Sequence, residues 1–233
     1  MKVSISKRSL NRAGDLLRVW WRRSDRAFGL GEAEAINLLW DYRASFQDPL
    51  TKVVMGVRSN MKAEHVPVVV AQRLKRLPTI LDKLQRQPGM ELARMQDIGG
   101  CRAIVPAGDF VAIEGIRHRV RNSVSTVVRE YDYIADPKPT GYRAVHLVVT
   151  REDHLVEIQL RTAEQHRWCE TVERLGGRLG HNLKDGQGPE ELLDYLRRAA
   201  YLISEIESGR QPAPELRAAY DALGEEVQHY FAG

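Results

Sequence analysis

The sequence predicts an α/β protein: a mixed central β-sheet of about five strands flanked by helices, with further helices before and after it. Three observations carry this. Apolar residues recur at helical spacing through residues 10–63 and again after 163. Between those segments, short β-branched or alternating runs interleave with helical stripes, which places helices on the faces of a sheet. The chain has 233 residues, 43% of them hydrophobic, enough for one sizeable core and a small helical unit besides. The expected organisation is a helical segment over 1–63, a core over 64–185 and C-terminal helices over 186–233 packing on that core.

The elements follow in order. Leu16, Leu17, Val19 and Trp20, then Ala33, Ile36, Leu39 and Trp40, recur at helical spacing. Arg18, Arg22, Arg23 and Arg26 crowd the end of the first helix, where they suit either the negative end of the helix dipole or an RNA or phosphate partner. Val66 to Ala71 is a short β-branched run, and Leu74 to Gln87 carries the helical stripe Leu77, Ile80, Leu81, Leu84. Cys101 to Val105 reads as a buried strand closed by Pro106, and Phe110 to Val120 as a helix with Asp109 as its N-cap. Strand-like runs follow at Ser125–Tyr133, Tyr142–Arg151 and Leu155–Arg161; the polar pair Glu152 and Asp153 makes the last two an antiparallel hairpin. Thr162–Leu179 and Glu190–Glu207 read as helices separated by Gly186, Gly188 and Pro189. Gly209, Pro212 and Pro214 precede a last helix at about 215–230.

Composition narrows the function classes. A formal net charge of +4 points only weakly to an anionic partner. Cys101 and Cys169 stand far apart with no CxxC, which argues against a zinc site or a disulfide scaffold and for two small core residues. No apolar run approaches the roughly 18 residues needed to span a bilayer, and no apolar stretch follows the basic start. The expectation is a cytosolic protein without a membrane partner, in a compartment that supplies ATP and Mg²⁺.

Four clusters carry candidate chemistry. Arg73, Lys75, Arg76, Lys83 and Arg86 surround the start of one helix; a basic strand end feeding a helix can cradle a triphosphate, or can simply be a solvated face. Asp97 stands before the buried strand, with Gly99 and Gly100 leaving space beside it, so it can be a turn residue or hold Mg²⁺. Asp132, Tyr133, Lys138, Tyr142, Arg143 and His146 frame a loop marked by Pro137, Pro139 and Gly141; cations and an aromatic face suit a nucleotide, while His146 alone could be a core histidine. Glu157, Gln159 and Arg161 alternate on one strand face. At an edge that face would meet water; on a central strand it must line a cavity, where Glu157 can meet Asp97 across the sheet.

In this order, over about residues 66–180, the clusters resemble the synthetase domain of the RelA/SpoT family: a basic R-x-K segment, an Asp-Ile-x-Gly-x-Arg strand entry, a Tyr-Ile…Pro-Lys…Gly-Tyr-Arg…His loop and a Glu-x-Gln-x-Arg-Thr strand. The resemblance implies a small single-domain synthetase, without the hydrolase domain or regulatory tail of the long members. It implies transfer of the β,γ-pyrophosphate of ATP to the 3′-hydroxyl of GDP or GTP. Arg73, Lys75, Lys83 and Arg102 would then face ATP, and Asp97 and Glu157 would hold Mg²⁺. Lys138, Tyr142, Arg143 and His146 would meet the acceptor, with Tyr142 stacked on its base and Gln159, Arg161 and His166 near it. Glu157 is the candidate to position or deprotonate the attacking hydroxyl. His166 stands where many small members have an Asn that helps read guanine, so an adenosine acceptor stays open. Two other readings remain at this point. One is a toxin that pyrophosphorylates the 3′-terminal adenosine of tRNA, favoured by the Arg18–Arg26 cluster and implying an antitoxin partner. The other is an inactive nucleotide-binding regulatory module, against which Asp97 and Glu157 stand. A homo-oligomer is compatible with all three.

Overall fold

The computed structural model describes residues 5–23, 25, 27, 29–67, 69–123 and 125–231. Arg26 of the basic cluster therefore lies outside the described residues. Three helices come first: α1 (Lys7–Trp21), α2 (Leu30–Ala44) and α3 (Gln47–Ala63). The Ser6 side chain caps α1 by accepting from the Ser9 amide. On α1 the buried positions are Leu10, Ala13, Gly14, Leu17 and Trp20, a stripe at helical spacing. Leu16, Val19 and, on α2, Trp40 belong to the apolar runs of the sequence but are exposed, because they fall on the opposite faces.

Next come β1 (Val69–Leu74), α4 (Leu77–Arg86), β2 (Gly99–Val105), α5 (Phe110–Arg121), β3 (Thr126–Asp132), β4 (Val145–Arg151) and β5 (His154–Thr162). The sheet order is β1-β2-β5-β4-β3, with β2 parallel to β5 and the other neighbours antiparallel. Two strand starts shift from the sequence reading. Val66 does not enter β1, since its amide bonds back to the Met61 carbonyl at the end of α3 and Pro67 follows with no amide to give. Tyr142 does not enter β4, since its carbonyl accepts from Lys138 within the preceding loop. The β4–β5 hairpin forms as expected, with Glu152 and Asp153 at positive φ in its turn.

Helices α6 (Ala163–Leu179), α7 (Glu190–Glu207) and α8 (Pro214–Val227) close the chain. Thr162 and Gln165 form a reciprocal capping box at the start of α6, fixing the angle at which β5 turns into helix.

Three cores result. One lies between α3, α5 and the sheet face that carries Cys101, Ala103, Leu147, Val149, Val156, Ile158 and Leu160. So α3, within the 1–63 helical segment of the sequence, shares the sheet's core. A second joins α1, α2 and α4 through Leu17, Trp20, Leu39, Ile80 and Leu84. The third joins α6 and α7 through Trp168, Cys169, Val172, Leu192 and Leu196, with Tyr142 packed into it. Both cysteines are buried and free. The opposite sheet face, between the second and third cores, carries Glu157 and Gln159. No described helix is long and apolar enough to cross a membrane.

Candidate active site

Strand β5 is the middle strand of five, so its alternating Glu157, Gln159 and Arg161 face protein rather than an open edge. Above them lies a cleft of about 990 Å³, reached by α4, β3, the loop before β4 and the short turn of helix Leu183–Asp185. Arg73, Lys75, Lys83, Asp97, Lys138, His146, Glu157 and Gln159 all line it. A smaller recess opens from its floor, bounded by Arg73, Lys75, Asp97, Gly100, Arg102 and Glu157. Gly100 pairs with Glu157 across β2 and β5, and a Cβ there would meet the Glu157 carbonyl at 3.0 Å. Its missing side chain keeps the recess open.

Asp97 sits at one side of the recess, two residues before β2. Lys75 donates to its Oδ2 at 2.6 Å and Lys83 to its Oδ1 at 2.9 Å. Burial raises the Asp97 carboxyl pKa, but the two ammonium groups outweigh that and hold it at about 2. Lys75 is itself pulled below the usual lysine value by burial, partly offset by Asp97. Both lysines therefore sit at the cleft with a counter-charge that a phosphate can take over.

Glu157 is the other carboxylate. His146 Nδ1 lies 2.9 Å from its Oε1, and Gln159 Nε2 donates to Oε2 at 2.6 Å. Behind these, Arg161 Nη2 donates to Gln159 Oε1 at 2.7 Å and to the Tyr142 hydroxyl at 2.6 Å; that hydroxyl lies 2.5 Å from His146 Nε2. The five side chains close a ring. Burial lowers the His146 pKa despite Glu157, so the imidazole is neutral at pH 7 and has one N–H to give. One assignment satisfies every bond of the ring, Nδ1–H to Glu157 and the Tyr142 O–H to Nε2, while the Nε and Nη1 of Arg161 are buried without a partner. Both arms then run from the Arg161 cation to the Glu157 carboxylate. Burial raises the Glu157 pKa, but the bonds from His146 and Gln159 more than offset it and leave the group below its usual value.

Mg²⁺ fits this donor set. Hard cations of its size take one or two carboxylates plus phosphate oxygens and water, and Asp97 and Glu157 border one recess. Each carboxylate oxygen that accepts a single hydrogen bond keeps a second lone pair. Among the described residues no cluster of three or more His, Cys, Asp or Glu forms an all-protein cage, so substrate would have to complete the shell.

Four residues expected to meet the acceptor are covered or turned away from the open cleft. Arg161 is 0% exposed and reaches the cleft only through its neighbours in the ring. Tyr142 borders the cleft but is 1% exposed, with the ammonium groups of Lys138 and Lys184 at 5.1 and 5.4 Å from its ring. Arg143 turns the other way: it donates to the Ile134 carbonyl at 3.1 Å and lines a separate cavity against α7. His166, on the first turn of α6, lies 3.4 Å from Glu170 and is not part of the cleft lining. Arg102 borders the recess and lies 3.7 Å from Glu173.

Further residues line the cleft, of which Tyr131 and Lys184 were not singled out from the sequence. Tyr131 and Tyr133 lie in parallel planes, 2° apart, with centroids 5.9 Å apart; they supply the cleft's aromatic surface, with the Lys138 ammonium 4.7 Å from the Tyr133 ring. Their signal was alternation on a strand, which gives a face but not its surroundings. Lys184 bonds Glu173 at 3.0 Å and stands over the cleft floor. It comes from a polar turn with no periodicity to mark it. The cluster on α1 is largely consumed within the fold: Arg18 donates to the Leu84 and Met90 carbonyls, Arg22 to that of Gln85, and Arg23 pairs with Glu32.

Known proteins are similar to this chain in sequence and fold over most of its length. Residues 72–174 match the model for a region found in RelA / SpoT proteins. The chain is 33% identical over 184 residues to the GTP pyrophosphokinase YjbM of Bacillus subtilis, covering 73% of this chain and 84% of that protein. It is 28% identical over 192 residues to the GTP pyrophosphokinase of Escherichia coli, of which it spans only 25%. Among solved structures, small alarmone synthetase 1 from Bacillus subtilis bound to its product pppGpp superposes with a TM-score of 0.58 at 28% identity, covering 77% of this chain and 94% of that one.

Proposed function

Since the chain belongs to the RelA/SpoT family and is thereby a pyrophosphokinase, we propose that it moves the β,γ-pyrophosphate of ATP to the ribose 3′-hydroxyl of GDP or GTP. One observation carries the reading: Asp97 with its two lysines and Glu157 with its hydrogen-bonded ring border a single recess. The similar chain bound to pppGpp supports a guanosine acceptor.

The residues divide by side. Arg73, Lys75 and Lys83 flank Asp97 and would bind the phosphates of ATP. As phosphates arrive, the two lysines exchange one anionic partner for another, which costs little desolvation. Tyr131, Tyr133 and Lys138 form the opposite wall and would take the acceptor's base and phosphates. A Mg²⁺ held by Asp97 and Glu157 would supply charge neutralisation for the transferring group. Glu157 is a poor general base, because its pKa is below the usual carboxylate range. Its contribution is to orient the ribose hydroxyl by accepting its hydrogen bond. His146 and Gln159 keep the carboxylate from turning away, and much of the acceleration comes from this placement.

Two observations weigh against the alternatives. The α1 arginines that would favour tRNA are engaged with α4 and α2, and an inactive module has no need for paired carboxylates held ionised in one recess. The test is transfer from ATP labelled at the γ-phosphate to GDP, GTP, ADP, AMP or deacylated tRNA, each alone and then in competition. The reading expects label on the guanosine nucleotides, lost in Asp97→Asn. Label on the tRNA end alone, or on adenosine nucleotides in preference, would overturn the acceptor assignment.

A further inference from the structure

The loop of residues 134–143 has two faces. One presents Lys138 to the cleft. The other, together with α7, borders a separate cavity of about 620 Å³, a size common for small-molecule sites. Its charge is one-sided. Arg143, Arg197 and Arg210 line it together with Lys138, against the single carboxylate of Glu205. Two of the arginines are compensated: Arg197 bonds Asp194 at 3.1 Å, and Arg210 grips Glu205 through two bonds of 3.0 and 2.7 Å.

Arg143 has no direct ion pair; Glu205 and Glu207 act on it only from a distance, and burial outweighs them. The residue is half-buried, its Nε has no acceptor, and among the described residues no carboxylate lies within ion-pair range of it. Burial without an adjacent counter-charge is unfavourable for a guanidinium, and an anion seated beside it offsets that penalty. The remaining wall is apolar, from Phe110, Ile134 and the prolines of the loop, and Tyr201 on α7 is 51% exposed at the cavity. Cations that suit phosphate and a free aromatic ring that suits a base stand within one enclosure.

We propose that this cavity binds a nucleoside polyphosphate, separate from the two substrates in the cleft, with its phosphates on Arg143 and its base on Tyr201. Occupancy would act on the acceptor side through the loop. Gly141 has φ +90°, and a Cβ there would lie 2.9 Å from the Ala200 Cβ and 3.2 Å from the Arg197 Cα. The loop is thus seated directly on α7, where Arg197 also donates to the Pro139 carbonyl at 3.0 Å. A ligand tying Arg143 to α7 holds the loop at that seat and with it Lys138, which borders both spaces.

The experiment is equilibrium dialysis of the full chain against labelled GTP without ATP, so it reads binding whether or not the transfer assignment holds. Wild type is expected to bind two equivalents per chain. Arg143→Ala and Tyr201→Ala should each weaken one of them by roughly 10-fold or more, as for loss of a charge-assisted contact or a stacked base. Tyr201→Ala changes a half-exposed side chain on the helix surface, so it keeps the test open if Arg143→Ala fails to fold. A single equivalent in wild type, two unaltered equivalents in both variants, or a second site filled by a short single-stranded RNA and not by GTP would each overturn the proposal.

Discussion

Asp97→Asn separates the electrostatics of the recess from its chemistry. The carboxyl pKa lies near 2 in the folded chain against an ordinary 3.8, because Lys75 and Lys83 outweigh the opposing effect of burial. A carboxyl shifted that far stabilises the fold by about 2.5 kcal/mol at pH 7. The sign follows from the direction: the folded value is depressed, so the contribution is fully present above 3.8 and is lost as pH falls through about 2. At pH 3 about 1.3 kcal/mol of it remains. Removing the charge also leaves Lys75, 9% exposed, with no counter-ion, which adds to the loss. The assay is urea unfolding of nucleotide-free protein in EDTA, comparing wild type with Asp97→Asn at pH 7 and pH 3. The variant should be less stable by about 2.5 kcal/mol at pH 7, and the gap should narrow to about half at pH 3. Equal or greater stability for the variant at pH 7, or a gap that ignores pH, would refute the reasoning.

Other consequences follow from the same geometry. Glu157→Gln should lower turnover by roughly 10²–10⁴-fold and lower the urea midpoint somewhat, since glutamine can accept from His146 but sets its NH2 against the Gln159 donor; turnover within a few-fold of wild type would remove Glu157 from the reaction. Tyr142→Phe takes the hydroxyl from both Arg161 and His146 and should destabilise by about 1–3 kcal/mol in urea unfolding. Gly141→Ala sets a side chain at φ +90° against α7; it should cost about 1–3 kcal/mol and raise the acceptor KM more than the ATP KM, read from initial rates. Burial holds His146 below 6.5 and its hydrogen-bond partners hold Glu157 below 4.5. The acid limb of kcat/KM should therefore begin below pH 6.5, and a limb centred above that value would contradict a neutral His146.

The strongest sequence signal was the alternation Glu157, Gln159, Arg161 against Val156, Ile158, Leu160. It gave a strand with one polar and one apolar face, and that is how β5 lies. Alternation does not say which strand is central, so whether the polar face met water or a cavity needed the pairing of β2 and β4 on either side. It also could not separate Arg161 from Glu157. Both share the face, but the Tyr142 hydroxyl and α6 cover the former. Helices α6 and α7 were legible almost to the residue, since Thr162 and Pro189 mark their starts. The loop was legible as a loop from Pro137, Pro139 and Gly141, but not as a wall with two sides. Arg143 follows Tyr142 directly, and the backbone turn at positive-φ Gly141 sends one side chain into the third core and the other toward α7. The arginines of α1 looked free because their partners, the carbonyls ending α4, lie more than sixty residues away.

Transfer by this cleft should move an intact pyrophosphate. The direct measurement supplies ATP labelled at both the β- and γ-phosphates in separate isotopes, with GDP as acceptor, and follows both labels and the adenosine product. Both labels on the acceptor in equal amount, with AMP released one for one, is the predicted result. The γ label alone on the acceptor, with ADP released, would make the chain a simple phosphotransferase and contradict pyrophosphate transfer.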